Sequence, residues 1–164
     1  EYKNIFGGEC VVTNAKEAIY SSMPILQEDL QQLAELTERI RVYGDHFWLM
    51  FDGDRLIAFV DGFVTDEADL TDEMYANAAM HNENGAWQMI FGVNTLPQYR
   101  RHGYAERLIR QAIDEAKEQG RKGLVLTCKE KLIHYYGKLG FIDEGVSDKS
   151  THGNVVWHQM RLTF

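Results

Sequence analysis

Apolar residues in the second half of the chain switch between strand-like runs and a helical spacing. Between residues 105 and 116 they recur at i, i+3, i+4, i+7, i+8 and i+11, which places them on one face of an amphipathic helix. Gly120 follows this pattern, and glycine commonly ends a helix. Apolar runs at residues 87–93 and 124–128 flank the helix and are typical of buried strands. The order predicts one right-handed strand–helix–strand crossover.

The first half of the chain predicts a helix and then a hairpin. Apolar residues between positions 26 and 40 keep a near-helical spacing, and Gly44 ends the run. Apolar segments at residues 47–51 and 55–65 flank an Asp-Gly-Asp turn, which is a good hairpin signal. Residues 2–6 could belong to a further helix that two glycines interrupt.

The remaining pattern predicts short elements. A long acidic connection follows the hairpin, and in its middle residues 72–80 can form a short helix capped by Thr71 or Asp72. Residues 132–139 predict another short helix, which Gly140 closes. Two final strands, at residues 141–142 and 155–157, are expected to pair. The fold class is therefore α/β with a mixed sheet.

Composition and charge narrow the class of protein. The 164 residues contain no repeat or linker, so we expect a single domain over residues 1–164. The net charge of −8 argues against a nucleic-acid-binding surface, and no apolar run approaches the ~18 residues of a membrane span. Residues 1–10 lack a signal-peptide pattern. Cys10 and Cys128 show no metal-ligand spacing, so we expect reduced thiols, no metal and a cytoplasmic protein.

The loop at residues 97–105 carries the pattern Pro-x-Tyr-Arg-x-x-Gly-x-Ala and leads from a strand into the long helix. Gly103 removes a side chain where a ligand could approach the backbone. Free N–H groups and the helix dipole attract anions at such a place, and Arg100 and Arg101 add positive charge. The loop alone predicts either a phosphate site or a tight turn with surface arginines.

The residues downstream of the loop carry a family resemblance. A strand ends in Cys-Lys-Glu at residues 128–130, a short helix carries Tyr135 and Tyr136, and Gly-Phe follows at residues 140–141. With the loop, this resembles the GCN5-related N-acetyltransferase (GNAT) superfamily, and more narrowly its bacterial branch similar to arylalkylamine N-acetyltransferases. The resemblance is specific over residues 85–164 and is not anchored in the first 25 residues. It implies a mixed, mostly antiparallel α+β sheet of about six to seven strands, splayed at the acetyl-CoA site.

This resemblance also implies a reaction and its residues. Acetyl-CoA would be the donor, and a small-molecule primary amine would accept the acetyl group directly. Tyr136 matches the family tyrosine that protonates the departing thiolate, and an ordinary tyrosine pKa near ~10 keeps such an acid protonated. The pyrophosphate would bind the loop, and the pantetheine arm would follow the preceding strand, where a backbone N–H polarises the thioester carbonyl. The implied cofactor-binding residues are Val93, Asn94, Thr95, Arg100, Arg101, His102, Gly103, Tyr104 and Ala105.

The group that takes the proton from the amine stays open. Animal arylalkylamine enzymes carry two histidines on the strand before the loop, whereas residues 87–93 contain none. Asp66, Glu67, His81 or Glu83 could act as the base, or water could take the proton.

Alternatives at the level of function stay open as well. The chain could be a CoA-binding sensor domain without turnover, or it could acetylate proteins. The sequence also leaves open whether it forms a homodimer. Cys128 lies at a strand end near the expected site, and we interpret it as a buried structural thiol rather than a nucleophile.

Overall fold

The computed structural model describes residues 3–4 and 30–164, with side chains described from residue 35 onward. Short 3₁₀ turns connect several of the regular elements. The strands and helices, in chain order, are β1 (Lys3–Asn4), α1 (Leu30–Tyr43), β2 (Phe47–Asp52), β3 (Arg55–Asp61), β4 (Val64–Thr65), α2 (Asp72–Ala76), β5 (Trp87–Ile90), β6 (Gly92–Thr95), α3 (Tyr104–Glu118), β7 (Gly123–Cys128), α4 (Ile133–Gly137), β8 (Ile142–Val146) and β9 (His158–Thr163).

The first sheet has four strands in the order β1-β2-β3-β6. The hairpin expected from the sequence is confirmed, since β2 and β3 pair antiparallel and Gly53 turns between them with a positive φ of 58°. The helix expected at residues 2–6 is wrong at Lys3 and Asn4, which form β1 and pair in parallel with β2. A two-residue edge strand carries too little periodicity to be recognised from the sequence.

The second sheet has five strands in the order β4-β5-β7-β9-β8. Its only parallel pair within the described residues is β5 and β7, which α3 connects as the predicted crossover. The mixed character expected of the sheet is confirmed, and helices flank both faces. The expected single sheet is divided in two, because β6 continues β5 along the chain but pairs with β3 instead.

Side chains alternate along the strands between two separate cores, as the pleat requires. One core lies beneath α3 and α4, and the other lies beneath α1 and α2. On β2, Trp48 and Met50 belong to the first core, and Phe47 and Leu49 to the second. The indole N–H of Trp48 donates to the carboxylate of Glu115 on α3 at 2.9 Å, which ties that helix to the sheet.

Several predicted boundaries shift. The long helix and its end are confirmed, with Gly120 at a φ of +74°. The strand expected at residues 55–65 stops at Asp61, and β4 joins the other sheet. The last strand is not at residues 155–157 but is β9, because Gly153 and Asn154 adopt positive φ and extend the preceding loop. Positions 26–29 of the predicted first helix lie outside the described residues, and the single-domain assignment stays a prediction.

Candidate active site

The two sheets separate at Phe91, the single residue between β5 and β6. Ile90 still pairs with Leu126 of β7, whereas Gly92 pairs with Asp61 of β3. A crevice with a volume of about 350 Å³ therefore opens between β6 and the end of β7. It is lined by Ile90, Phe91, Val93, Leu126, Thr127, Cys128, Lys129, Lys131, Leu132, Tyr136 and Trp157.

A larger cavity of about 650 Å³ lies over the loop before α3. Lys131 and Tyr136 line it too, so the two cavities share one wall. Its lining includes every expected cofactor-binding residue except His102, namely Val93, Asn94, Thr95, Arg100, Arg101, Gly103, Tyr104 and Ala105.

The backbone of the loop is folded to present N–H groups. Arg101 and Gly103 both adopt positive φ, of 63° and 77°, and the first helical hydrogen bond runs from the Arg107 N–H to the Gly103 carbonyl at 3.1 Å. The N–H groups of the first helical turn lack acceptors within the helix and form the positive end of the helix dipole. With the guanidinium groups of Arg100 and Arg101, this end of the cavity suits a phosphate or pyrophosphate.

His102 does not line the larger cavity. Its side chain is exposed, and its Nδ1–H donates to the carbonyl oxygens of Arg100 at 2.8 Å and Tyr99 at 3.1 Å. The ring stacks on Tyr104, with the ring centroids 5.7 Å apart. His102 therefore supports the shape of the loop from outside the cavity.

Tyr136 lies where the two cavities meet. It is 6% exposed, and burial raises its pKa well above the ordinary tyrosine value. The ring of Tyr135 packs edge-on against it at a centroid distance of 5.0 Å. A phenol in this position keeps its proton at every physiological pH, as a general acid must.

Cys128 lines the crevice but is not an activated nucleophile. Its thiol is 2% exposed, and burial, followed by the charge of Asp143, raises its pKa to about 11. An activated thiol has a lowered pKa. The burial and raised pKa of Cys128 fit the expected structural thiol rather than a nucleophile.

A buried carboxylate, which the sequence reasoning missed, lies directly behind the separation of the sheets. Asp61 is 2% exposed; its carbonyl oxygen accepts the Phe91 N–H at 2.8 Å, and its carboxylate accepts the Gly92 N–H. Burial raises the pKa of Asp61 to about 6, although the nearby Arg39 opposes the shift. Both N–H groups that follow β5 are thus bound to Asp61 of β3, at the point where the chain leaves the ladder with β7.

Arg39 of α1 accompanies this carboxylate. Its Nη1 lies 3.7 Å from Asp61 Oδ2, and its guanidinium lies 5.7 Å from the centre of the Phe91 ring. Asp61 Oδ2, Arg39 Nε and the Tyr43 hydroxyl are buried without a hydrogen-bond partner among the described residues. Buried polar atoms of this kind are usually satisfied by water or by a ligand.

The acidic connection places two of the candidate bases in a polar cluster elsewhere. Glu83 contacts His46 at 2.8 Å, His81 at 3.2 Å and Arg121 at 3.0 Å. His81 Nδ1 accepts the Val64 N–H, so its Nε2 carries the proton and donates to Glu83. Three potential metal ligands meet here, but the protonated Nε2 of His81 has no lone pair for an ion.

The other two candidate bases, Asp66 and Glu67, also lie outside the crevice lining. Asp66 accepts the Ala86 N–H at 3.1 Å and the Asn82 amide at 3.2 Å, and so shapes its own loop. Glu67 is exposed. Neither residue lines either of the two cavities.

The loop between β8 and β9 docks on α2 through Asp72, another contact that the sequence reasoning missed. Its carboxylate accepts the Thr151 N–H at 2.8 Å, the Thr151 hydroxyl at 3.2 Å and His152 Nδ1–H at 2.8 Å. Partial desolvation raises the pKa of Asp72, but the hydrogen bonds from Thr151 and His152 outweigh it, and the net effect is a lowered pKa. The His152 ring stacks on Trp157 at 4.4 Å and contacts Tyr75 at 5.0 Å.

The model of the Acetyltransferase (GNAT) family matches residues 15–141, and the chain belongs to this family. The loading GNATL domain of CurA from Lyngbya majuscula has the same fold, with a TM-score of 0.70, 15% identity and coverage of 90% of this chain and 92% of that chain. The NatC complex bound to Gag peptide and CoA matches with a TM-score of 0.66, 13% identity and coverage of 91% and 90%.

A protein described as a streptothricin acetyltransferase from Bacillus anthracis, solved with acetyl coenzyme A, is a further match. Its TM-score is 0.53 at 20% identity, over 74% of this chain and 68% of that chain. No curated protein sequence matches this one significantly.

Family membership confirms the expected fold and acetyl-CoA as the co-substrate of the class. The residues present fit that molecule, because a cationic loop with free N–H groups leads through Val93 into a narrow crevice beside a protonated tyrosine. The narrower resemblance to arylalkylamine enzymes is not confirmed by these matches. No helix within the described residues is long and apolar enough to cross a membrane.

Proposed function

We propose that this protein transfers the acetyl group of acetyl-CoA directly to a primary amine of a small molecule. The position of Tyr136 carries this proposal, since the buried phenol lies where the cavity over the loop meets the crevice between the sheets. A donor bound along β6 would bring its thioester to that junction, and an amine could reach it from the crevice. Holding both reactants in place supplies much of the rate in such a transfer.

The residues of the chain then have separate roles. The N–H groups of residues 101–105, with Arg100 and Arg101, would hold the pyrophosphate, and Val93, Asn94 and Thr95 would hold the pantetheine arm. A backbone N–H of β6 would polarise the thioester carbonyl. Tyr136 would give its proton to the thiolate as the C–S bond breaks.

Binding of the donor can be tested with matched arginine variants. Arg100→Ala and Arg101→Ala should weaken CoA binding about 3- to 10-fold each, as expected for the loss of one charge-assisted contact. Arg41→Ala is the control, because Arg41 is exposed on α1 and pairs with Glu38 instead. Calorimetric titration of CoA measures all three. Equal CoA affinities for all three variants would show that the loop does not bind CoA.

Transfer itself is tested by following thiol release from acetyl-CoA with a panel of small primary amines and with peptides that have free N-termini. Release with small amines supports the proposal. Release with peptides alone indicates a protein N-acetyltransferase, in line with the peptide-bound relative of the same fold. Tight CoA binding with no release in any mixture indicates a sensor domain. The narrower arylalkylamine assignment requires the aromatic amines of the panel to be the better acceptors.

A further inference from the structure

A direct transfer needs a group that takes a proton from the acceptor ammonium. None of the four candidates from the acidic connection lines the two cavities, and their described side-chain hydrogen bonds and ion pairs go to residues that do not line them either. His46, His81 and Arg121 engage Glu83, and Asp66 binds within its own loop. The crevice lining itself contains two lysines, one cysteine and one tyrosine as titratable groups. None of these is a base near neutral pH in its ordinary state.

His152 has the arrangement that a base requires. Its Nδ1–H donates to Asp72 at 2.8 Å, which leaves Nε2 with the lone pair in the neutral ring. Asp72 is held in turn by the N–H and hydroxyl of Thr151. A carboxylate that fixes the tautomer and orientation of an imidazole is the arrangement found behind histidine bases in general.

His152 does not line either cavity itself, but two aromatic neighbours connect it to the crevice lining. Its ring stacks at 4.4 Å on Trp157, which lines the crevice. On the other side it contacts Tyr75, whose hydroxyl lies 3.4 Å from the Thr127 hydroxyl, another part of the lining. The side chain of His152 is 41% exposed, so solvent can reach the ring and take up its proton after each turnover.

We propose that His152, oriented by Asp72, is the general base that deprotonates the acceptor amine. This inference rests on the proposed transfer reaction. The ammonium gives one proton to His152 Nε2 and becomes a neutral amine. Its nitrogen lone pair forms the C–N bond to the acetyl carbon, and the C–S bond breaks with its electron pair on sulfur. Tyr136 protonates that sulfur, and the second amine proton restores the phenol.

The charges around His152 suit this role. Asp72 and Tyr75 face it from α2, and Trp157 and Thr151 from its own loop. Beyond Tyr75, the Arg39 guanidinium lies 6.0 Å from the centre of the Tyr75 ring. Its Nη1 lies 3.7 Å from Asp61 Oδ2. Asp72 is thus the carboxylate in contact with the imidazole, and it stabilises the protonated ring that the step produces.

The test uses His152→Asn, because the asparagine amide can replace Nδ1–H as the donor to Asp72 while Nε2 is lost. His158→Asn is the matched control, since His158 is bound to Asp143 at 3.1 Å in the same way but lies on β9 opposite Cys128. At pH 7 we expect kcat/KM of His152→Asn to fall about 100-fold, with CoA affinity unchanged. His158→Asn should match the wild type.

The pH profile separates a base from a structural support. The deficit of His152→Asn should shrink as the pH approaches the pKa of the acceptor amine, where the amine no longer needs a base, and added imidazole should raise the activity of His152→Ala. A deficit that is equal at every pH, or turnover within twofold of the wild type at pH 7, overturns the role of His152 alone. A wild type that binds CoA but releases no thiol with any acceptor overturns the proposed function and this inference together.

Discussion

Tyr136 combines burial with access to both cavities, and this combination makes its hydroxyl testable. Tyr136→Phe should lower kcat about 10- to 100-fold, because the departing thiolate loses its proton donor, while the dissociation constant of CoA stays unchanged. Since burial raises the pKa of Tyr136, the wild type should show no alkaline loss of activity from this group up to about pH 9. Steady-state assays between pH 6 and 9 measure both effects. Full turnover in the variant across this range would rule out the general acid.

Asp61 makes a prediction about stability and pH. Its pKa is raised from 3.8 to about 6 by burial, so the folded state binds a proton more tightly than the unfolded chain does. The stability from this proton is complete below about pH 4 and is lost as the pH rises through 6. Asp61→Asn has no carboxyl group to titrate, so its stability does not fall for this reason as the pH rises. Relative to the wild type, its free energy of unfolding should therefore rise by up to ~3 kcal/mol between pH 4 and 7.

Urea unfolding of both proteins at four pH values measures this difference. The comparison cancels the opposite effect of carboxylates whose pKa is lowered, such as Asp69 at about 2. Stability curves that run parallel from pH 4 to 7 would mean that the Asp61 carboxylate is ionised in the folded protein without cost.

At the scale of elements, Gly92 follows the separation of β5 from β6 and packs closely against the side chain of Asp61 on β3. A Cβ at Gly92 would collide with Oδ1 of Asp61 and meet Asn94 Nδ2 at 3.0 Å. Because both strands are held by the β3–β6 ladder, Gly92→Ala should cost about 1–3 kcal/mol of stability. It should also weaken CoA binding, since the crevice wall must move.

Gly137→Ala is the matched control for this element. A Cβ at Gly137 meets nothing within 4 Å, and alanine is favoured over glycine in a helix by up to ~1 kcal/mol. Thermal unfolding should therefore show a lower midpoint for Gly92→Ala and an equal or higher one for Gly137→Ala. Equal stability of Gly92→Ala and the wild type would show that Asp61 can move away freely.

At the scale of the whole molecule, a net charge of −8 contrasts with the cations around the larger cavity. Arg100, Arg101 and Lys131 line that cavity, so a polyanionic ligand is attracted locally and repelled by the remainder of the surface. The dissociation constant of CoA should rise several-fold between about 0.05 and 0.5 M salt, because exposed charges are screened over this range. Pantetheine, which lacks the phosphates, should bind with little salt dependence. A salt-insensitive CoA affinity would contradict electrostatic binding at the loop.

Much of the fold followed from local pattern. The spacing of apolar residues between positions 105 and 116 defines α3, and the Asp-Gly turn defines the β2–β3 hairpin. The loop pattern at residues 97–105, together with the motifs at residues 128–141, indicated the family. These features are encoded by residues near one another in the chain, because helix faces, tight turns and helix N-termini are local structures. The assignments of Tyr136 as acid and of the loop as a pyrophosphate site stay predictions.

The tertiary structure decided what depends on distant residues. A strand-like run at residues 87–94 gave no sign that Phe91 divides it, since the division is visible only in the pairing of Gly92 with Asp61 of β3. Asp72 and His152 are 80 positions apart, and neither residue alone differs from a helix cap or a loop histidine. The sequence by itself determined most of the longer elements, the family and the donor, whereas only packing brought together Asp72 with His152 and Asp61 with Gly92. Contacts of that kind form between elements that are distant in the chain, so the local spacing of apolar residues does not predict them.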